Sequence, residues 1–242
     1  MAKDAGSEWP SPTVDRSTRP VHEAALVAQL PALRRDGDRE IPVGPRAERT
    51  RAALLQAAYD LFVSQGFHGT PVSDVAARAG VSLGTFYQYF RDRSDVVAAL
   101  VRIGVRTFLE RTEANWSAAG GRRGLHDVIF AFVTAYVERA EFNRMWDEVC
   151  HFEPELAELR RDLSRLLTEM VERELIDGGR AGHCRRFTAA EAKLTARALA
   201  SMVDRFCYVT YAFDTPAGDA PSPEQAADVL TELWAGAIGL RT

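Results

Sequence analysis

The chain has 242 residues, 46% of them hydrophobic and 26% charged, with a net charge of −4, the proportions of a globular protein of one large or two small domains. No apolar run approaches the roughly 18 residues that a bilayer span needs, and the opening MAKDAGSEWPSP lacks the apolar stretch of a secretory signal. Cys150, Cys184 and Cys207 form an odd and sparse set, which fits a reducing compartment better than a disulfide framework, so a cytoplasmic protein is expected.

Charge is unevenly spread. Residues 46–102 hold seven arginines against five acids, while residues 1–45 and 103–242 are net acidic. That pattern suits a small anion-binding head on an acidic body. Residues 1–45 are expected to be a disordered extension, either a floppy tail or an arm reaching DNA or a partner subunit. From residue 46 onward apolar residues recur at spacings of three and four, and no period-two strand is evident, so the fold is expected to be all-α.

A first helix, about 47–65, places Leu54, Leu55, Ala58, Tyr59 and Phe62 on one face. Gly66 stands where a left-handed terminator is expected. Thr70 and Pro71 supply an N-cap and a first-turn proline for a second helix, VSDVAARA, with Val72, Val75, Ala76 and Ala79 inward. Gly80 ends it, and Ser82 can cap a third helix two residues later. A Gly-Val-Ser connector is too short to lay two helices side by side, so they must cross sharply, as in a helix-turn-helix. In that motif one face of the second short helix packs inward and the other is free for the DNA major groove.

The third helix carries LGTFYQYF. Phe86 and Phe90 are four apart and share the core face. Leu83, Thr85, Tyr87, Gln88 and Tyr89 occupy the remaining arc, and burying all of them would leave hydroxyl and amide groups without partners. DNA offers those partners. Leu83, Gly84, Thr85, Gln88 and Tyr89 are expected to read or approach bases, and Thr70, Tyr87 and Arg93 to anchor phosphates, with Arg49 and Ser82 completing the set.

A fourth helix is expected at about 93–116, a fifth at 125–141, a sixth at 143–151, and a seventh from Pro154 to just before Gly178-Gly179. An eighth follows at 188–213 and a ninth at 223–239. The last two carry the clearest apolar stripes. Leu199, Met202, Val203, Phe206, Leu230, Leu233, Trp234 and Ile238 are the expected dimer interface. Phe108, Trp116, Phe130, Tyr136, Met145, Trp146, Cys150, Phe152 and Tyr208 are candidates for a pocket taking a hydrophobic, aromatic or acyl ligand. Two Cys-His pairs, Cys150-His151 and His183-Cys184, lack ligand spacing, and no metal or other cofactor is expected. No nucleophile elbow, phosphate loop or zinc-protease motif argues for an enzyme.

Residues 49–97 resemble the DNA-binding domain of the tetracycline-repressor (TetR) family. The resemblance rests on LLQAAYDLFVSQGFHGTPVSDVAARAGVSLGTFYQYFRDRSDVV, about a fifth of the chain. The matching residues are Phe62, Gly66-Phe67, Thr70, Val75-Ala76, Ala79-Gly80-Val81-Ser82, Gly84-Thr85, Tyr87, Tyr89-Phe90 and Arg93. Arg93 replaces a usual lysine, and Pro71 a frequent threonine or serine. The resemblance implies an all-helical homodimer whose last two helices pair across the dimer, with a ligand cavity in each body. The expected organisation is an extension (1–45), a helix-turn-helix domain (46–92) and a ligand-binding and dimerisation domain (93–242). The expected function is transcriptional regulation, most simply as a repressor released from a palindromic operator by a small hydrophobic ligand. The alternatives are an activator or co-repressor-dependent regulator, or a helical protein–protein module that no longer binds DNA.

Overall fold

The computed structural model describes residues 42–112, 118–213 and 219–240. The expected extension therefore lies outside the described residues except for its last four positions. Among the described residues there are nine α-helices and no strand. They are α1 (Pro45–Gln65), α2 (Val72–Arg78), α3 (Leu83–Tyr89), α4 (Arg93–Thr112), α5 (Gly121–Val137), α6 (Ala140–Val149), α7 (Pro154–Ala181), α8 (Ala189–Cys207) and α9 (Pro223–Ile238). None is long and apolar enough to cross a membrane. The three cysteines are free.

The chain forms two compact units. One runs up to Arg102 and takes in Glu148–Leu159; the other holds Ile103–Asp147 and everything from Arg160 onward. The division falls inside α4, beyond the expected boundary at 92/93.

In the first unit, α1 buries Leu54, Leu55, Ala58, Tyr59 and Phe62 as its spacing predicts. It stops at Gly66, whose φ of 75° few other residues adopt and whose N–H donates to the Phe62 carbonyl at 3.0 Å. Pro71, not Thr70, is the N-cap of α2. Val75 and Ala76 are buried there, and Val72 and Ala79 only half-buried. Ser82 caps α3 as expected, accepting the Thr85 N–H at 3.1 Å. Asp92 does the same for α4, accepting the Asp95 N–H at 2.9 Å.

In the second unit, α5 lies along α9, joined by the ion pair Arg122–Glu232 and by His126 Nε2 to Asp228 at 3.3 Å. Their shared core includes Val133, Val171, Ala196, Cys207, Ala227 and Leu230. Capping boxes at Thr188–Glu191 and Ser222–Gln225 start α8 and α9. The seventh helix continues through Gly178 and Gly179, contrary to expectation, and ends at Gly182 with φ 84°. A Cβ at Gly179 would come within 2.9 Å of the Arg185 carbonyl oxygen, so the glycine admits the returning chain and does not break the helix. The eighth helix continues past Cys207 as a π-helical turn, Tyr208–Ala212, so the helical run ends close to the expected 213.

Candidate nucleic-acid interface

Helix α3 is held from beneath by Phe86, Tyr89 and Phe90, which are 0%, 7% and 2% exposed. Phe86 packs on Phe90 with ring centroids 5.7 Å apart, and the Arg51 guanidinium lies 5.6 Å from the Phe90 ring centre. Turned outward are Leu83 and Tyr87, 45% and 43% exposed, together with Ser82, Gly84 and Gln88. Positions 83, 84, 87 and 88 form one helical stripe. Thr85 is half-buried, its hydroxyl 2.9 Å from that of Ser82. A Cβ on Gly84 would meet nothing closer than the Ser82 hydroxyl at 3.8 Å. The free protein therefore has no steric need of glycine there, although the residue weakens a helix.

Three expected DNA contacts do not survive the geometry. Tyr89 is buried: counted three residues from Phe86 and next to Phe90, it falls on the inward face. Thr70 is 0% exposed, and its hydroxyl donates to the carbonyls of Gly66 at 2.8 Å and Leu61 at 3.3 Å, so no phosphate reaches it. Arg93 turns inward as well. Its Nη1 donates to the carbonyls of Phe67, His68 and Thr70 at 2.8, 3.2 and 3.4 Å, and its guanidinium stacks 4.6 Å from the Phe67 ring centre. Arginine's planar guanidinium can lie over a ring while one of its nitrogens meets these carbonyls, whereas a lysine ammonium is a point charge on a flexible stem. Arg49 is exposed at the start of α1, donating to the Pro45 carbonyl at 3.3 Å. Arg78 is paired with Asp60 at 2.8 Å.

In the second unit the expected dimer residues are mostly interior. Leu199, Val203, Leu230, Trp234 and Ile238 belong to the unit's own core, and Met202 and Phe206 pack against it. Only Leu233 of that set faces out, at 53% exposure. The outward apolar residues are instead Leu194 on α8 and Val229 with Leu233 on α9. A monomer fills its own core first, and the broader apolar stripe goes there.

Of the pocket candidates, Phe108 and Tyr136 meet through Phe132, with ring centroids 5.5 and 6.1 Å from it. Phe130 stacks instead on His126, and Met145 is buried. Trp146 is half-buried. Cys150 and Phe152 fall in the first unit, and Trp116 lies outside the described residues. Beside Tyr136 is a polar group that spacing did not reveal. Asp147 pairs with Arg160 at 2.5 Å and also bonds the Tyr208 hydroxyl, and Asp204 lies nearby. Desolvation, reinforced by Asp204, pushes the Tyr136 phenol well above its ordinary value. Desolvation also raises the Asp204 carboxyl, although the residue is exposed; Arg160 pulls against that shift and Asp147 adds to it.

A short helix, a turn through Gly80 at φ 69° and a seven-residue helix with an exposed, mixed polar and apolar face form a helix-turn-helix, a motif whose second helix suits the DNA major groove. The family model described as "Bacterial regulatory proteins, tetR family" matches residues 54–100, which span all of α2 and α3 with most of α1 and the start of α4. The likeness to the TetR family of regulators is thus one of this N-terminal domain. It is similar to a fatty acid metabolism regulator protein of Bacillus subtilis, 35% identical over 60 residues, which are 25% of this chain and 31% of that one. It is also similar to the transcriptional activator FasR of Mycolicibacterium smegmatis, 37% identical over 78 residues, 29% of this chain and 35% of that one. The chain thus spans about a third of the length of the curated relatives it matches. The fold likeness extends further. The solved structure of the fatty acid degradation regulator FadR from Bacillus halodurans aligns with a TM-score of 0.63 at 18% identity, covering 83% of this chain and all of that one.

Proposed function

We propose that this protein is a transcriptional regulator, not an enzyme, that grips a palindromic operator as a homodimer and is released by a small hydrophobic ligand. The observation that carries the reading is the outward stripe of α3. Leu83, Gly84, Tyr87 and Gln88 face away from a fully buried aromatic anchor. Gln88 suits a base edge, Leu83 a thymine methyl, and the Tyr87 hydroxyl a phosphate. Gly84 lets the helix backbone approach closely. Arg49 supplies an exposed charge for the phosphate backbone.

Dimerisation through the outer faces of α8 and α9, with Leu194, Val229 and Leu233 at the seam, brings two heads to two half-sites about one helical turn or a multiple apart. The effector sits in the second unit against Phe108, Phe132 and Tyr136, with the Asp147–Arg160–Asp204 group for its polar end. Similarity to two regulators named for fatty acid metabolism favours an acyl chain among hydrophobic ligands.

The test is DNase footprinting on DNA flanking the protein's own gene, with Tyr87→Ala as control. A protected palindrome lost in the variant supports the reading. Absence of protection at low salt, together with failure to enrich any duplex from a random pool, sinks it. The similarity to an activator favours a second reading, in which the same head recruits transcription. A reporter behind the footprinted site separates the two by the sign of its response.

A further inference from the structure

Residues Glu148–Leu159 come far behind the head in sequence yet belong to its compact unit. Leu156 and Leu159, 2% and 3% exposed, seat the segment, lining a groove with Ala98 and Arg102 of α4. Three further contacts are polar or aromatic. Glu155 accepts from Arg91 Nη2 at 3.1 Å. Glu153 accepts from the Ser94 hydroxyl at 3.2 Å. Phe152, though 66% exposed, sets its ring edge-on to His68 at 6.1 Å.

The points touched are not scattered. Arg91 and Ser94 flank Arg93, and His68 lies in the turn whose carbonyls Arg93 gathers. The segment therefore touches that turn and both sides of the residue that ties it to the start of α4. Arg91 is further fixed by its backbone N–H, which donates to Asp95 at 3.0 Å. The turn leads through Pro71 into α2, and Arg91 follows Phe90, the C-cap of α3. Contacts of this kind are individually weak and reversible, which suits adjustment better than rigid bracing.

We propose that Phe152, Glu153 and Glu155 are positioning residues for DNA recognition, setting the attitude of the α2–α3 pair by holding the α1–α2 turn and the α3–α4 junction. They touch no base or phosphate themselves. The inference rests on the DNA-binding reading above.

The test compares binding to a duplex enriched by the wild-type protein from a random pool with binding to a scrambled duplex of the same composition. General charge changes strengthen or weaken both together, so the ratio isolates positioning. Arg91→Glu and Glu155→Arg should each lower the ratio about tenfold, and the exchanged pair should restore it to within about threefold. Phe152→Ala and Glu153→Gln, which create no new charge clash, should lower it several-fold while circular dichroism stays that of the wild type. The proposal is overturned if folded single variants keep the wild-type ratio, or if the folded exchanged pair does not regain it. If the wild type enriches no duplex, the DNA-binding reading falls and takes this inference with it.

Discussion

Helices α3 and α9 each keep an outward face that the protein's own core does not use, and the two faces differ in kind. On α3, Leu83 and Tyr87 are interleaved with Gly84 and Gln88, so apolar contact and hydrogen-bonding groups share one stripe of a seven-residue helix. On α9, Val229 and Leu233 lie with Gly236 and Ala237, while Asp228 and Glu232 are drawn aside by His126 and Arg122 of α5. The first face suits a partner that is itself polar and grooved. The second suits a flat apolar partner such as another copy of the same helix. Exposure alone does not say what a surface binds; the groups between the apolar side chains do.

The contrast can be broken most forcefully at α9. Introducing Val229→Glu with Leu233→Glu should convert the proposed dimer to a folded monomer in analytical ultracentrifugation and lower operator affinity by about a hundredfold or more, because each half-site is then held alone. Next comes the pair of tyrosines on α3. Tyr89→Ala should cost about 3 kcal/mol in denaturant unfolding of the head, as an aromatic truncation in a core does. Tyr87→Ala should stay within about 0.5 kcal/mol of wild type yet bind DNA much more weakly.

A subtler effect separates tying from gripping at Arg93. Arg93→Gln should weaken specific binding while leaving the slope of log affinity against log salt unchanged. A slope shallower by about one would instead make Arg93 a phosphate contact. The smallest effect asks whether the polar cluster in the second unit is also kept at the expense of stability. The Asp204 carboxyl is raised in the fold, so its contribution is fully present below the unfolded aspartate value and is lost as pH rises through the folded one. Asp204→Asn should therefore raise the melting temperature at pH 7, with the gain fading toward pH 4.

Much of the head is legible in sequence because its signals are local. Gly66, Gly80 and Ser82 announce where helices stop and start, and spacing along α1 gives its buried face. Tyr89 was within reach of the same arithmetic, since positions 86, 89 and 90 share a face, but the hydroxyl suggested an outward role. Thr70 and Arg93 are different. A hydroxyl or guanidinium takes whatever acceptor the tertiary turn presents, and the carbonyls of residues 61–70 converge only once α1 and α4 are packed. On α8 and α9 both the inner and outer stripes are apolar, so periodicity cannot tell the core from a seam. Gly178-Gly179 misled for a related reason: close approach and helix breaking require the same residue.

That Glu148–Leu159 is part of the head bears on how such proteins can be recombined. A chimera cut at residue 92 would move the reading helix with His68 and Arg91 but leave behind their partners Phe152 and Glu155, together with the start of α4. The transferable module is discontinuous, and a graft that carries both stretches keeps its own seat for the head.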